Sequence, residues 1–426
     1  MKKIISTLTL LLALAAPSQA QFTPGNLVVL RVGDGVQTLA NTGNTIFLDQ
    51  ILASDGSSVN TVTIPDTLPN GLFVTGNATS EGQLSRSADG RFLTFGGYNT
   101  NRPTPASVVT STSTDVPRGI GVVDASGTYS LAAVTTTQFT TSNIRSGVTD
   151  GTNNFWGAGA NSGTIYFGNL APAAVVQSSV LNTRVVNIFN GDLYFSTASG
   201  TIPGIYFLGT GGMPAGTATT NLLISTAGTG TGTSSPYDFA INSNRTLVYI
   251  ADDRTIANGG GIQRWEFNGA AWNLIYTIGT GSGSVSGARS LAVDFSGANP
   301  LIYAVTAEST ANRVIAISDT GPGAGAAATT LKTALTKEIF RGVKFSPVTP
   351  AVVVPPPTLS ISLAPSAVVL SWPTNAVNYQ LQTVPSLPGG TNWTFGGNAA
   401  VVGDHYAVTN SLTSSNAFYR LFLPPS

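Results

Sequence analysis

Hydrophobic positions along this chain fall into short runs that alternate with polar residues at a period of two. Gly, Asn and Asp separate the runs. Period two marks a strand with one face toward a core, whereas a helix repeats every three to four residues. The stretch RSLAVDFSGANPLIYAVTAESTANRVIAISDTG, residues 289–321, shows the unit: strand, turn, strand, loop, strand, with few charged side chains. Similar units open at Leu84 (LSRSADGRFLTFGGY), Asn143 (NIRSGVTDGTNNFWGAGANSGTIYFG), Asn182 (NTRVVNIFNGDLYFSTASGTIPGIYF), Ser235 (SPYDFAINSNRTLVYIADDRTIANGGGIQRWEF) and Ile339 (IFRGVKFSPV). Each begins with a short strand, turns on Asn, Asp or Gly, and enters a second strand rich in aromatic residues. Most continue into a third strand, at residues 120–123, 164–167, 205–207, 262–267 and 313–317.

The residues that open the first strands are Arg86, Arg145, Arg184, Tyr237, Arg289 and Arg341, at separations of 59, 39, 53, 52 and 52. The last three separations lie close to the ~40–50-residue period of propeller blades. The final unit stops after one strand. Residues 26–64 hold three strands with no opening strand before them, so the simplest arrangement is a circle in which they complete the last blade. Such closure leaves no bare sheet edge. The expected fold is all-β: a six-bladed β-propeller over residues 21–348, with a seventh blade open if residues 66–85 hold a degenerate sheet. A stack of independent sandwiches is the alternative. After Pro347, SPVTPAVVVPPPTLS predicts a semi-rigid proline-rich linker at 349–357. Residues 358–426 then predict six short strands, at 358–363, 367–372, 378–383, 392–395, 405–409 and 417–422. Trp372, Tyr379, Leu381 and Phe418 are the expected core of a small immunoglobulin- or fibronectin-III-like β-sandwich.

The units at Ser235 and Arg289, with their opening strand, turn, LVYIADD or LIYAVTA and then IQRWEF or RVIAISD, resemble NHL-repeat blades. The order IFNGDLYFSTASG, SPYDFA, LVYIADD, GGIQRWEF, FRGVKFSP is similar to an uncharacterised group of secreted bacterial β-propeller proteins over residues 22–348. AVVLSWP, NYQLQTVPSL, NWTFGG and NAFYRLFLP resemble the C-terminal module of secreted Verrucomicrobia-type proteins. The resemblance implies a propeller fold and leaves the activity open, because NHL-type propellers include protein binders, sugar-lactone hydrolases and a lyase.

Residues 1–20, MKKIISTLTLLLALAAPSQA, read as a secretory signal: Lys2 and Lys3, an apolar run, and Ser18-Gln19-Ala20 for cleavage. The run is short for a bilayer span, so the expectation is a protein exported to the periplasm, cell surface or medium without membrane insertion. The sequence contains no cysteine, which excludes disulfides, thiolate metal sites and thiol catalysis. Charged residues are 9% of the chain, against about a quarter in an average protein. The 19 basic and 19 acidic residues become 17 and 19 once Lys2 and Lys3 are removed, a net charge of −2. No basic excess draws phosphate backbones, so nucleic acid is excluded as a partner.

Candidate chemistry is sparse. In a propeller the first strand lines a central channel, so Arg145, Arg184, Arg289 and Arg341, with Arg86 and Tyr237, would crowd around one axis. Such a ring can clamp a carboxylate, phosphate or sulfated sugar. The plainer reading, which the sequence favours, is that each arginine bonds a neighbouring carbonyl or an acid such as Asp150, Asp238 or Asp294. Asp252 and Asp253 could enter a calcium site but suit turn capping better, since no D-x-D-x-D-G loop accompanies them. Glu81, Glu266, Glu308 and Glu338 share no repeat position, so no metal constellation maps onto the chain. Trp156, Trp265 and Trp272 could stack on sugars and are expected instead between blades, in second and third strands. His405 has no partner in motif spacing, and G-x-S-x-G, P-loop and H-E-x-x-H are all missing. The expectation is a monomeric, non-enzymatic binding or scaffold protein with an extracellular protein or glycan partner, no catalytic residues, no metal and no cofactor. A metal-dependent hydrolase of the gluconolactonase-like type is the alternative.

Overall fold

The computed structural model of the protein describes residues 21–168, 173–198, 202–209, 212–281, 285–322, 327–349, 357–376, 378–387, 392–412 and 416–422. The export signal expected at residues 1–20 and most of the proline-rich linker lie outside them. The chain divides into two compact units, Met1–Pro350 and Ala351–Ser426. Among the described residues no helix is long and apolar enough to cross a membrane.

The first unit is built from four-stranded antiparallel sheets, six among the described residues. Five are made of consecutive strands, and each starts with an inner strand: Leu84–Arg86, Ile144–Thr149, Thr183–Phe189, Pro236–Ile241 and Ala288–Asp294. The sixth takes its inner strand, Ile339–Phe345, from the end of the unit. Its other three, Leu27–Val32, Ile46–Ile51 and Ser58–Thr63, come from the beginning. The six inner strands touch one another in cyclic order, the last against the first. Covered on every side, they read as continuous buried runs, and PYDFAI in Pro236–Ile241 is buried throughout. Outer strands alternate instead, as in the half-exposed Ser58–Thr63. The architecture is β-propeller-like.

Hydrophobic cores lie between neighbouring sheets. Val185, Tyr194 and Ile205 of one sheet pack on Phe239, Val248 and Trp265 of the next. Leu27, Val29 and Val343 of the composite sheet pack on Tyr303 and Val305. That composite sheet is fastened along its length, from Leu27 opposite Phe345 to Val32 opposite Ile339. Arg31 ties it to its own neighbours through Asp49 at 2.6 Å and Glu338 at 3.1 Å. The sequence reading anticipated up to three strands in each of the five consecutive units, and each of those sheets carries a fourth. Outer strands such as TTLKT (Thr329–Thr333) bury too little to show a clear apolar pattern. Residues 66–83 form a loop, buried at Gly71–Gly76 and Glu81–Gln83, with isolated bridges at Val74 and Phe73, not a further sheet.

The second unit has a four-stranded sheet, in the order Ser360–Ala364, Ala367–Pro373, His405–Ser411, Ala400–Val402. A three-stranded sheet follows the order Thr394–Phe395, Gln380–Val384, Phe418–Phe422. Leu370, Trp372 and Val408 from one sheet and Leu381 from the other share a core, with Tyr379 packed against it. Phe418, expected in that core, is 38% exposed, because its neighbours Tyr419 and Leu421 turn inward instead. Ala400–Val402 is a strand the sequence did not suggest, fully exposed at the sheet edge.

Candidate functional site

The inner strands carry an irregularity at one shared place. The ladder skips Arg145 between Ile144 and Ser146, and Arg289 between Ala288 and Ser290. It skips Arg184 between Thr183 and Val186, and Tyr237 between Pro236 and Phe239. Arg341 is the residue skipped between Phe340 and Gly342. These are β-bulges, which leave one residue out of the ladder and re-aim its side chain. A bulge at the entry of five inner strands therefore delivers four guanidinium groups and a phenol to one place.

The groups meet there. The Arg184 guanidinium lies over the Tyr237 ring, 3.8 Å from its centroid, and that of Arg289 is 5.8 Å from the same ring. Burial first, and the nearby charge of Arg184 second, hold Arg145 down to about 10. Burial and then Arg289 do the same to Arg341. Tyr237 and Glu81 act electrostatically on both. Arg184 and Arg289 thus share the Tyr237 ring, and their charges act on Arg145 and Arg341 respectively.

Arg86 does not belong to it. Its strand pairs without a bulge, Leu84 to Phe95 and Arg86 to Leu93, so Arg86 lies further along the axis. The sixth place is taken by residues 81–83. The Gln83 backbone N–H donates to the Arg145 carbonyl at 3.1 Å, and a Cβ on Gly82 would come 3.1 Å from that of Arg341. Sequence reasoning missed Gln83 because it followed arginine as a residue type. The better signal was the serine that three inner strands use to reach another inner strand: Ser85 to the Val186 carbonyl, Ser146 to the Val186 N–H and Ser290 to the Val343 N–H. Aligning Ser85 with Ser146 and Ser290 puts Arg86 out of register.

The ring is only partly satisfied from within. Arg145 donates to Asn182 Oδ1 at 2.5 Å and the Thr183 carbonyl at 3.1 Å. Arg341 donates to the Gly76 carbonyl at 2.9 Å, and Arg289 pairs with Asp253 at 3.1 Å. Arg184 meets only the face of Tyr237 among the described residues. Buried polar atoms remain without partners: Nε of Arg145 and Arg341, Nε and Nη1 of Arg184, and Nε2 and Oε1 of the Gln83 side chain. Leaving such groups dry costs about 1–3 kcal/mol each, more when charged. Glu81 is the buried counter-charge, accepting from the Thr75 N–H and hydroxyl, from Tyr98 at 2.8 Å and from Asn143. Its oxygens are occupied by those donors and reach none of the arginines.

Beyond the ring the axis is closed by a polar plug. Asp238 accepts from Lys344 Nζ at 2.6 Å, Ser290 at 3.0 Å, Asn187 at 3.1 Å and the Leu291 N–H at 2.9 Å. Asp238 thus serves Lys344 rather than an arginine, while Asp150 and Asp294 cap their own turns at Thr152 and Ser296. Asp252 is buried and clamps Arg254 at 2.9 Å, and Asp253 holds Arg289. Glu266, Glu308 and Glu338 pair with Arg264, Arg313 and Arg31. Among the described residues no three His, Cys, Asp or Glu side chains are placed to share a metal ion. Trp156 and Trp265 are buried between sheets, whereas Trp272 stands in an outer strand rather than a second or third one. His405 sits at the surface of the second unit, against Asp404 at 2.5 Å.

No protein-family model matches the sequence, and no curated protein does. The solved structures it resembles are distant. A Bacteroides uniformis protein provisionally described as a 6-phosphogluconolactonase is 12% identical, with a TM-score of 0.39 over 82% of this chain and 91% of that one. The β-propeller domain of Cps50 (Swd1) from Myceliophteria thermophila is 11% identical, with a TM-score of 0.39 over 75% and 96%. A Lactobacillus plantarum protein is 10% identical, with a TM-score of 0.36 over 93% and 100%. Nothing of their chemistry transfers at that distance.

Proposed function

We propose that the protein is an exported binding protein, a six-bladed propeller of the NHL-like secreted bacterial type, whose channel captures a small anion. An immunoglobulin- or fibronectin-III-like module at the C-terminus then serves as tether or second contact. The anion is recognised by Arg145, Arg184, Arg341 and the Gln83 amide, while Tyr237 and Arg289 shape the wall. One observation carries this reading: buried guanidinium nitrogens of one ring have no acceptor, and the buried side-chain amide of Gln83, whose backbone N–H bonds the Arg145 carbonyl, has no partner either. A ring built only for stability would spend those donors on carbonyls, and an oxyanion would accept several of them at once. Composition supports export and binding over catalysis, through the leader-like residues 1–20 and the poverty of acid–base groups.

Calorimetric titration with sulfate, phosphate and malonate tests it. The expected result is saturable binding by the wild type and at least a tenfold loss in Arg184→Gln, with little change in melting temperature. Absence of binding by all three probes, or equal binding by the variant, would overturn the reading.

A further inference from the structure

The axis has a second end. Past the plug, the far halves of five inner strands surround a cavity of about 210 Å³. Asn187–Phe189, Phe239–Ile241, Leu291–Val293 and Lys344–Phe345 line it, together with Arg86 and Phe295. Arg184 and Asn187, or Arg341 and Lys344, are three residues apart and Tyr237 and Phe239 two, so ring and cavity are separated by roughly 7–10 Å along the strands. Asp238 lies between, and its partners Asn187, Leu291 and Lys344 form the near wall of the cavity, which makes them two sites.

Two cations border this cavity, and they differ. Lys344 is spent: its ammonium donates to Asp238 at 2.6 Å and to the Leu291 carbonyl at 2.5 Å. Among the described residues no hydrogen bond or ion pair holds the Arg86 guanidinium, and its Nε is sealed from solvent without a partner. Asp89, the nearest charge acting on it, is taken up by Ser87 at 2.6 Å and Arg91 at 2.5 Å. Gly90 makes the arrangement possible. With φ of +74° and no side chain, it lets the guanidinium lie where a Cβ would come within 2.8 Å of Nη2. Burial lowers the pKa of Arg86, and the charge of Asp89 offsets it only in part. The rest of the lining is mostly apolar, aliphatic at Ile188, Ile241 and Val293 and aromatic at Phe189, Phe295 and Phe345, with Asn187 as its polar member.

The geometry points to a second, separate binding site at this end of the axis, for a small free acid whose carboxylate pairs with Arg86 and whose apolar body fills the phenylalanine-lined cavity. A guanidinium with open N–H groups prefers a carboxylate, which it can engage through two bonds. A cavity of that size holds about seven water volumes, the bulk of a small aromatic or branched aliphatic acid, and apolar walls favour exchanging that water for carbon. A bare oxyanion would leave the aromatic wall wet, so sulfate is a poor occupant here, in contrast to the ring. The inference rests on no part of the anion-binding reading of the ring.

The test is titration of the full-length protein with phenylacetate, 2-phenylethanol, sulfate and a peptide ending in phenylalanine. Phenylacetate should bind the wild type at least tenfold more tightly than 2-phenylethanol, and Arg86→Met should lose at least tenfold in phenylacetate affinity. Ala240→Phe, which adds bulk to the cavity lining on the strand across the ring from that of Arg86, should abolish binding, while Arg184→Gln leaves it unchanged. That last control separates failure of this site from failure of the ring. Equal affinity of phenylacetate for wild type and Arg86→Met, or no binding at millimolar concentration, would refute the site. Tighter binding of the peptide than of phenylacetate would replace the free acid with a protein terminus.

Discussion

Each arginine in the ring has its own energetic situation. Arg289 is committed to Asp253 and to the edge of Tyr237, so Arg289→Ala strands a half-buried carboxylate and should cost about 1–3 kcal/mol in urea denaturation. Arg184 has only the stack on Tyr237, so Arg184→Ala should cost less than about 1 kcal/mol. Equal costs at the two positions would show that Arg184 has an acceptor after all. Arg145 and Arg341 are held down to about 10, below the ordinary 12.5, chiefly by burial. A lowered folded pKa means the folded state carries the cation at a disadvantage at every pH below about 10. The disadvantage is relieved only as pH rises through that value. At neutral pH the relief available is an anion. The gain in melting temperature from sulfate, which does not titrate in this range, should therefore stay level from about pH 5 to 9 and fade as pH passes through about 10.

Among the strands, one clamp stands out for joining two sheets. Asp319, at the end of the strand Arg313–Ser318, accepts from Tyr249, from Tyr276 at 2.7 Å and from Arg264 at 2.7 Å, all on the preceding sheet. Burial alone would raise its pKa, but these three donors outweigh it and lower the value below 3.8. A lowered carboxylate contributes stability in full above about pH 4, lost as pH falls through the folded value. Asp319→Asn should shallow the acid limb of the stability curve between about pH 4 and 2 and destabilise the protein at pH 7 by about 2–4 kcal/mol. An unchanged acid limb would mean the clamp is not what acid breaks. The sequence revealed the inner strands and the closing circle well, because strands covered on both faces leave dense apolar runs that repeat. It revealed neither the outer strands, whose half-exposed residues mimic loops, nor the place of Arg86, where no bulge interrupts the ladder. Gln83 carried no signal of its own, and the cavity beside Arg86 is assembled from strand ends as much as 259 residues apart, Arg86 to Phe345.

At the scale of the whole molecule, closure by strands from both ends sets the stability of the first unit. Removing residues 21–64 exposes the edge of Ile339–Phe345, so the truncated protein should aggregate, and a soluble truncation with an unaltered melting curve would contradict the closure. Three of the four glutamates are paired with arginine, so chelator should leave the melting temperature of the full-length protein in place. A drop reversed by calcium would turn attention back to Asp252 and Asp253. The same seam has a mechanical side. Leu27 lies opposite Phe345, and Ser346 still reaches the Asn26 carbonyl, so the chain enters and leaves the seam at one corner. Tension applied between the two ends pulls those partners directly apart and opens the ladder one hydrogen bond after another, as a zip opens. Heat has to loosen the whole ladder and the cores on either side of it together. A protein held by one end alone never feels that load, whereas one stretched between two anchors would give way first at its seam.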